Sequence, residues 1–129
     1  MTNTYQPGKS AQPETALNLG KSAADHVVIK INIDPATHNP VLANPDQQTV
    51  YVPQNKHILW ECTQKFTVWF DDPDSGRSMS KAGKSLDKAY PFAQEMHASD
   101  FRYTGIPFEY HIDTDGGTLD PSIIVTKPA

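Results

Sequence analysis

Only one cysteine, Cys62, stands among the 129 residues. An internal disulfide is therefore impossible, and so is a site built from several thiolates of one chain. No run of about 18 apolar residues occurs, which excludes a membrane-spanning helix. A basic excess is missing as well. Lys and Arg number 11 against 15 Asp and Glu, for a net charge of −4, the wrong sign for a general nucleic-acid binder. The chain holds no glycine-rich phosphate loop, no Gly-x-Ser-x-Gly elbow and no Cys-His pair close in sequence. These absences predict a protein that is not an enzyme and carries no cofactor. The N-terminus also lacks the charged start, apolar stretch and small-residue cleavage site of a secretory signal. Together with the lone thiol, this predicts a reducing, cytoplasmic setting.

What is present divides into two parts. Residues 1–25 are polar, with Pro7, Gly8, Pro13 and Gly20 among Ser, Thr, Asn and Gln, and only Leu17 and Leu19 as isolated apolar positions. Such a segment buries too little apolar surface to offset its chain entropy. It reads as a flexible N-terminal arm, followed by one domain over residues 26–129.

From Asp25 onward the pattern is that of β-structure. Val27, Ile29, Ile31 and Ile33 alternate with polar Lys30 and Asn32, the period of a half-buried strand. Asp34-Pro35 ends it. Asn39-Pro40-Val41-Leu42 and Thr49-Val50-Tyr51-Val52 follow, the latter closed by Pro53. In the centre Ile58, Trp60 and Cys62 alternate with Leu59, Glu61 and Thr63. Phe66, Val68 and Phe70 then alternate with Lys65, Thr67 and Trp69. These two runs are predicted to pair as central strands. Residues 71–100 read as a long loop with one helical turn. Phe108-Glu109-Tyr110-His111-Ile112 and Ile123-Ile124-Val125-Thr126 read as closing strands, joined through the turn-forming Asp113-Thr114-Asp115-Gly116-Gly117-Thr118. Six or seven short strands predict an all-β, two-sheet antiparallel sandwich.

The order of these elements resembles the second half of cupredoxin-like domains. The likeness runs from about Val50 to Thr126: a strand with Trp60, then Lys65-Phe66-Thr67-Val68-Trp69-Phe70, then Phe108-Glu109-Tyr110-His111-Ile112 and Ile123-Ile124-Val125. It implies a Greek-key sandwich. It does not carry over the copper site. Phe66 stands where the family places its first copper-binding histidine, and Ile112 or Asp113 where it places the cysteine. The loop to Ile123 holds neither histidine nor methionine, whereas blue copper needs a thiolate and two imidazoles on one metal.

Several constellations remain open between function and ordinary surface chemistry. Asp71, Asp72 and Asp74 cluster near Gly76, and Asp113 and Asp115 near Gly116. Either group offers oxygens to calcium, but neither has the EF-hand pattern, and Asp with Gly also makes plain turns. Arg77, Lys81, Lys84 and Lys88 would form a basic stripe on a helix, yet Gly76, Gly83 and several serines favour a solvated loop. The five histidines are His26, His38, His57, His97 and His111. No two have metal-ligand spacing, although His57, His97 and His111 could meet across the fold. His111 beside Glu109 reads as a surface histidine. Trp69 points away from the core face claimed by Phe66, Val68 and Phe70, so it is either covered by another part of the chain or exposed at an interface.

The leading expectation is a non-catalytic binding or assembly module. It would self-associate as a homo-oligomer or bind another protein through Leu17 and Leu19 of the arm, Trp69, and the basic residues Arg77, Lys81, Lys84 and Lys88, with no nucleic acid or membrane as partner. The alternative is a metal-binding module, with calcium at Asp71, Asp72 and Asp74 or a transition metal on surface histidines.

Overall fold

The computed structural model describes residues 25–71 and 80–127. They form ten strands: β1 (His26–Ile33), β2 (Pro40–Leu42), β3 (Thr49–Pro53), β4 (His57–Cys62), β5 (Thr67–Phe70), β6 (Lys81–Ala82), β7 (Phe92–His97), β8 (Pro107–Thr114), β9 (Gly117–Leu119) and β10 (Ser122–Thr126). The first sheet runs β2-β1-β4-β7-β6. The second runs β3-β10-β8-β5, with β9 also paired to β8. The two sheets pack as a β-sandwich.

The alternation seen in the sequence places the core. Ile29, Ile31, Ile58, Trp60, Cys62 and Met96 face inward from the first sheet. Val52, Val68, Phe70, Phe108, Tyr110, Ile112, Ile123 and Val125 meet them from the second. Because side chains alternate faces along a strand, the partners of these residues, such as His26, His57 and Glu95, line the outer face.

Three expectations need correction. The sheets are mixed, not purely antiparallel: β1 runs parallel to β4, and β10 parallel to β3. In each case other structure intervenes in sequence between the paired strands, as a parallel pair requires. The runs around Trp60 and Trp69 do not pair with each other. β4 lies between β1 and β7, and β5 lies against β8 in the opposite sheet. The chain between them crosses from one sheet to the other, so both runs can keep apolar faces inward. Finally, the region read as a loop contains β6, the six-residue β7 and a short 3-10 turn at Ala98–Asp100. β7 is hard to see in the sequence because its outer face carries the buried Ala93 and Glu95, so polar and apolar residues do not alternate along it.

Candidate metal centre

The outer face of the first sheet gathers three of the five histidines into one row. In the parallel pair His26 is aligned with His57, and in the antiparallel pair His57 is aligned with His97. Neighbouring strands lie about 4.8 Å apart, so the three rings stand side by side. His26 stacks on His57 with ring centroids 5.1 Å apart, and His57 meets His97 edge-on at 4.4 Å. Glu95 precedes His97 by two residues on β7, which returns it to the same face and sets it diagonally across from His57.

His26, His57 and Glu95 each offer one ligand atom, and these atoms lie within 4.8 Å of one another. His57 Nδ1 and Glu95 Oε2 are 3.1 Å apart. Donors 2.0–2.1 Å from a tetrahedral zinc ion are separated from each other by roughly 3.3 Å. One pair is thus already at coordination distance, and the other contacts, all within 4.8 Å, need to close by at most about 1.5 Å. His26 and Glu95 are buried, at 8% and 5% exposure, whereas His57 is half-buried. A carboxylate removed from water is costly unless paired or metal-bound, and the His57 imidazole stands 3.1 Å from this one.

His97 belongs to the row but has another task. Its Nδ1 accepts the Ser99 backbone N–H at 3.0 Å, and the Asp100 carboxylate accepts the His97 N–H at 3.4 Å, which closes a capping box over the 3-10 turn.

A second acid, Glu61, sits on the same outer face and is fully buried. Its Oε2 accepts the Leu86 N–H at 2.6 Å, the Asp87 N–H at 3.2 Å and the Ser85 hydroxyl at 3.0 Å. Glu61 is therefore a structural anchor for the segment after β6. Beside it Lys30 Nζ meets Asp87 Oδ2 at 2.7 Å, and a cavity of about 650 Å³ opens between Val28, Lys30, Gln47, Glu61 and Leu86.

On the outer face of the second sheet, His111 is a polar hub. Its Nε2 lies 2.7 Å from Asp71 Oδ2 and its Nδ1 2.6 Å from Asp120 Oδ1. The hydrogen bond to Asp71 is the main reason its pKa is raised above the ordinary 6.5, with that to Asp120 adding to it and partial desolvation opposing. Trp69 stacks on His111 with centroids 4.2 Å apart and donates its indole N–H to Asp113 Oδ2 at 2.6 Å. It is half-buried.

The predicted site residues therefore scatter. His57 and His97 do come together, but His111 lies on the opposite sheet, so the trio suggested by the sequence does not form. His26, at the start of the domain, and Glu95, in the stretch read as loop, complete the cluster instead. Alternation alone places His26 and His57 on outward faces; the registers that align them are not encoded locally. Lys81, Lys84 and Lys88 are exposed, Lys81 on β6 and the other two in the following segment. Their spacing makes no helical stripe, because that segment is not helical. Asp71 binds His111, while Leu17, Leu19, Asp72, Asp74 and Arg77 lie outside the described residues. No helix among the described residues is long and apolar enough to cross a membrane. No family model matches the chain, and no curated protein matches it in sequence.

Proposed function

We propose that the domain is a non-catalytic metal-binding module that holds a first-row divalent ion at His26, His57 and Glu95. The observation that carries this reading is the convergence of two imidazoles and one buried carboxylate, contributed by three adjacent strands, within 4.8 Å. Nitrogen and carboxylate donors of this kind suit zinc, iron, cobalt, nickel or copper(II) better than calcium. The sole thiol, Cys62, is buried in the core on the opposite side of the sheet, which supports a site without sulfur. The buried free thiol is also the support for a reducing, cytoplasmic setting.

The test is metal analysis of protein purified without chelator, together with thermal unfolding of metal-free protein in zinc, cobalt, copper and calcium. Mass action stabilises a folded protein by about 2.7 kcal/mol at a free ligand concentration of 100 Kd. A transition-metal rise in Tm that disappears in His26→Ala and in Glu95→Gln is expected. An unchanged Tm with every ion would refute the reading.

A second reading, protein binding or self-association, is favoured by the outer face of the second sheet. There Tyr51 is 63% exposed on edge strand β3, and Trp69 is half-buried. Light scattering on the full chain, on a chain starting at His26 and on Tyr51→Ser tests the self-association part; monomers in all three cases would remove that part. The cupredoxin-like, Greek-key form of the sandwich belongs to the same proposal. Phe66 and Ile112, at the positions of two copper ligands, are both core side chains, which supports a sandwich that lacks the blue-copper centre.

A further inference from the structure

Three protein donors do not complete a tetrahedral ion. Closed zinc sites use four side chains, whereas sites with three leave the fourth position to water or another ligand. Among the described residues, the further imidazole beside His26, His57 and Glu95 is that of His97. Because its Nδ1 accepts the Ser99 N–H at 3.0 Å, and the Ser99 hydroxyl lies 2.6 Å from the same nitrogen, the proton of the neutral ring resides on Nε2. In that tautomer Nε2 is a donor and cannot ligate. To serve as a ligand through Nε2, His97 must give up its bond to the Ser99 N–H or lose the Nε2 proton. The Cys62 thiol is on the other face of the sheet.

We infer, on the basis of the metal-binding reading, that an ion held by His26, His57 and Glu95 keeps one exchangeable coordination position and takes a small anion there. Two neutral imidazoles and one carboxylate leave a divalent ion with a net charge of +1, which favours an anionic fourth ligand. The side chain of His57 is 29% exposed while that of Glu95 is 7% exposed. The His57 Nδ1 that faces Glu95 is itself buried, so only the outer part of that ring meets solvent, and an anion that reaches the centre must be small.

The experiment uses the full-length, metal-free protein, cobalt(II) as the ion and azide as the anion. Cobalt is titrated first and followed by its visible absorption, and azide is then added to the loaded protein. Stoichiometric cobalt binding followed by a saturable, azide-dependent shift of the bound-cobalt band is expected, with both signals lost in His57→Ala. Replacement of His97 by Gln should weaken cobalt binding by no more than about tenfold, the lower end of what an outer-shell partner contributes, and should leave the azide shift in place. Circular dichroism establishes that each variant is folded. Cobalt-loaded protein whose spectrum is unchanged by azide overturns the open position and leaves metal binding standing. The open position is equally overturned if azide simply strips the cobalt, or if His97→Gln abolishes binding in a folded protein. Failure of the folded wild-type protein to bind cobalt overturns both the inference and the reading beneath it.

Discussion

The indole N–H of Trp60 donates to the hydroxyl of Tyr110 at 3.0 Å in the middle of the core, with the two rings edge-on at 5.5 Å. Trp60 belongs to β4 in the first sheet and Tyr110 to β8 in the second. Both are fully buried, so this single polar contact joins the two layers where water does not reach. Burial pushes the Tyr110 phenol far above its ordinary value, and it stays neutral over the whole range in which the protein is handled.

Replacing Tyr110 with Phe keeps the ring but leaves the Trp60 N–H without its acceptor. A buried donor left unsatisfied costs about 1–3 kcal/mol, and urea unfolding followed by tryptophan fluorescence should record a loss of that size. The double replacement Trp60→Phe with Tyr110→Phe removes both polar groups. If the hydrogen bond is what matters, the two losses will not add.

Glu61 anchors the segment after β6. Its Oε2 gathers the N–H groups of Leu86 and Asp87 and the hydroxyl of Ser85. Glu61→Ala removes a charged acceptor from three donors and is expected to cost at least about 2 kcal/mol. Hydrogen exchange gives the local readout: the amides of Leu86 and Asp87 should lose protection well before those of β4. Equal protection in the variant would show that the segment is held by something else.

The clamp of His111 between Asp71 and Asp120 is pH-dependent, and its sign follows from a raised folded pKa. An imidazolium favoured in the folded state stabilises it fully below the unfolded value near 6.5, and that contribution fades as pH rises through the higher folded value. The difference in Tm between the wild-type protein and His111→Gln should therefore be largest in mild acid and shrink toward alkaline pH. It should also shrink with added salt, since both carboxylates are largely exposed and screened by ions. A difference independent of pH would dismiss the clamp.

The turn between β8 and β9 presses on the loop between β1 and β2. A Cβ added at Gly116 would lie 1.9 Å from the His38 carbonyl oxygen, so backbone meets backbone with no flexible side chain to yield. Gly116→Ala is expected to cost about 1–3 kcal/mol through forced displacement. The contrast is Gly105, whose φ is +80° but whose added Cβ meets nothing within 4 Å. Gly105→Asn, a residue that tolerates this conformation, should cost much less. A reversed order in chemical denaturation would contradict the packing described.

Local pattern carried much of the architecture. The alternation through Val27, Ile29, Ile31 and Ile33, through Ile58, Trp60 and Cys62, and through Phe108, Tyr110 and Ile112 predicts strands whose inward residues are those found in the core. The same alternation sets His57 and Trp69 on outward faces. It failed at β7, where the buried Glu95 disguises a strand as a loop, and it mispaired the runs of Trp60 and Trp69, because alternation names faces and not neighbours.

The amino-acid order by itself determined a chain with two-faced strands, one thiol and no catalytic signature, since side-chain periodicity and composition are properties of single segments. Strand partners and registers were decided only by the tertiary fold. His26, His57 and Glu95 are separated by long stretches of sequence, and they share a few ångströms of space because β1 runs parallel to β4 and β7 runs antiparallel to it. Long-range hydrogen bonding makes that choice, and no short window of sequence contains it.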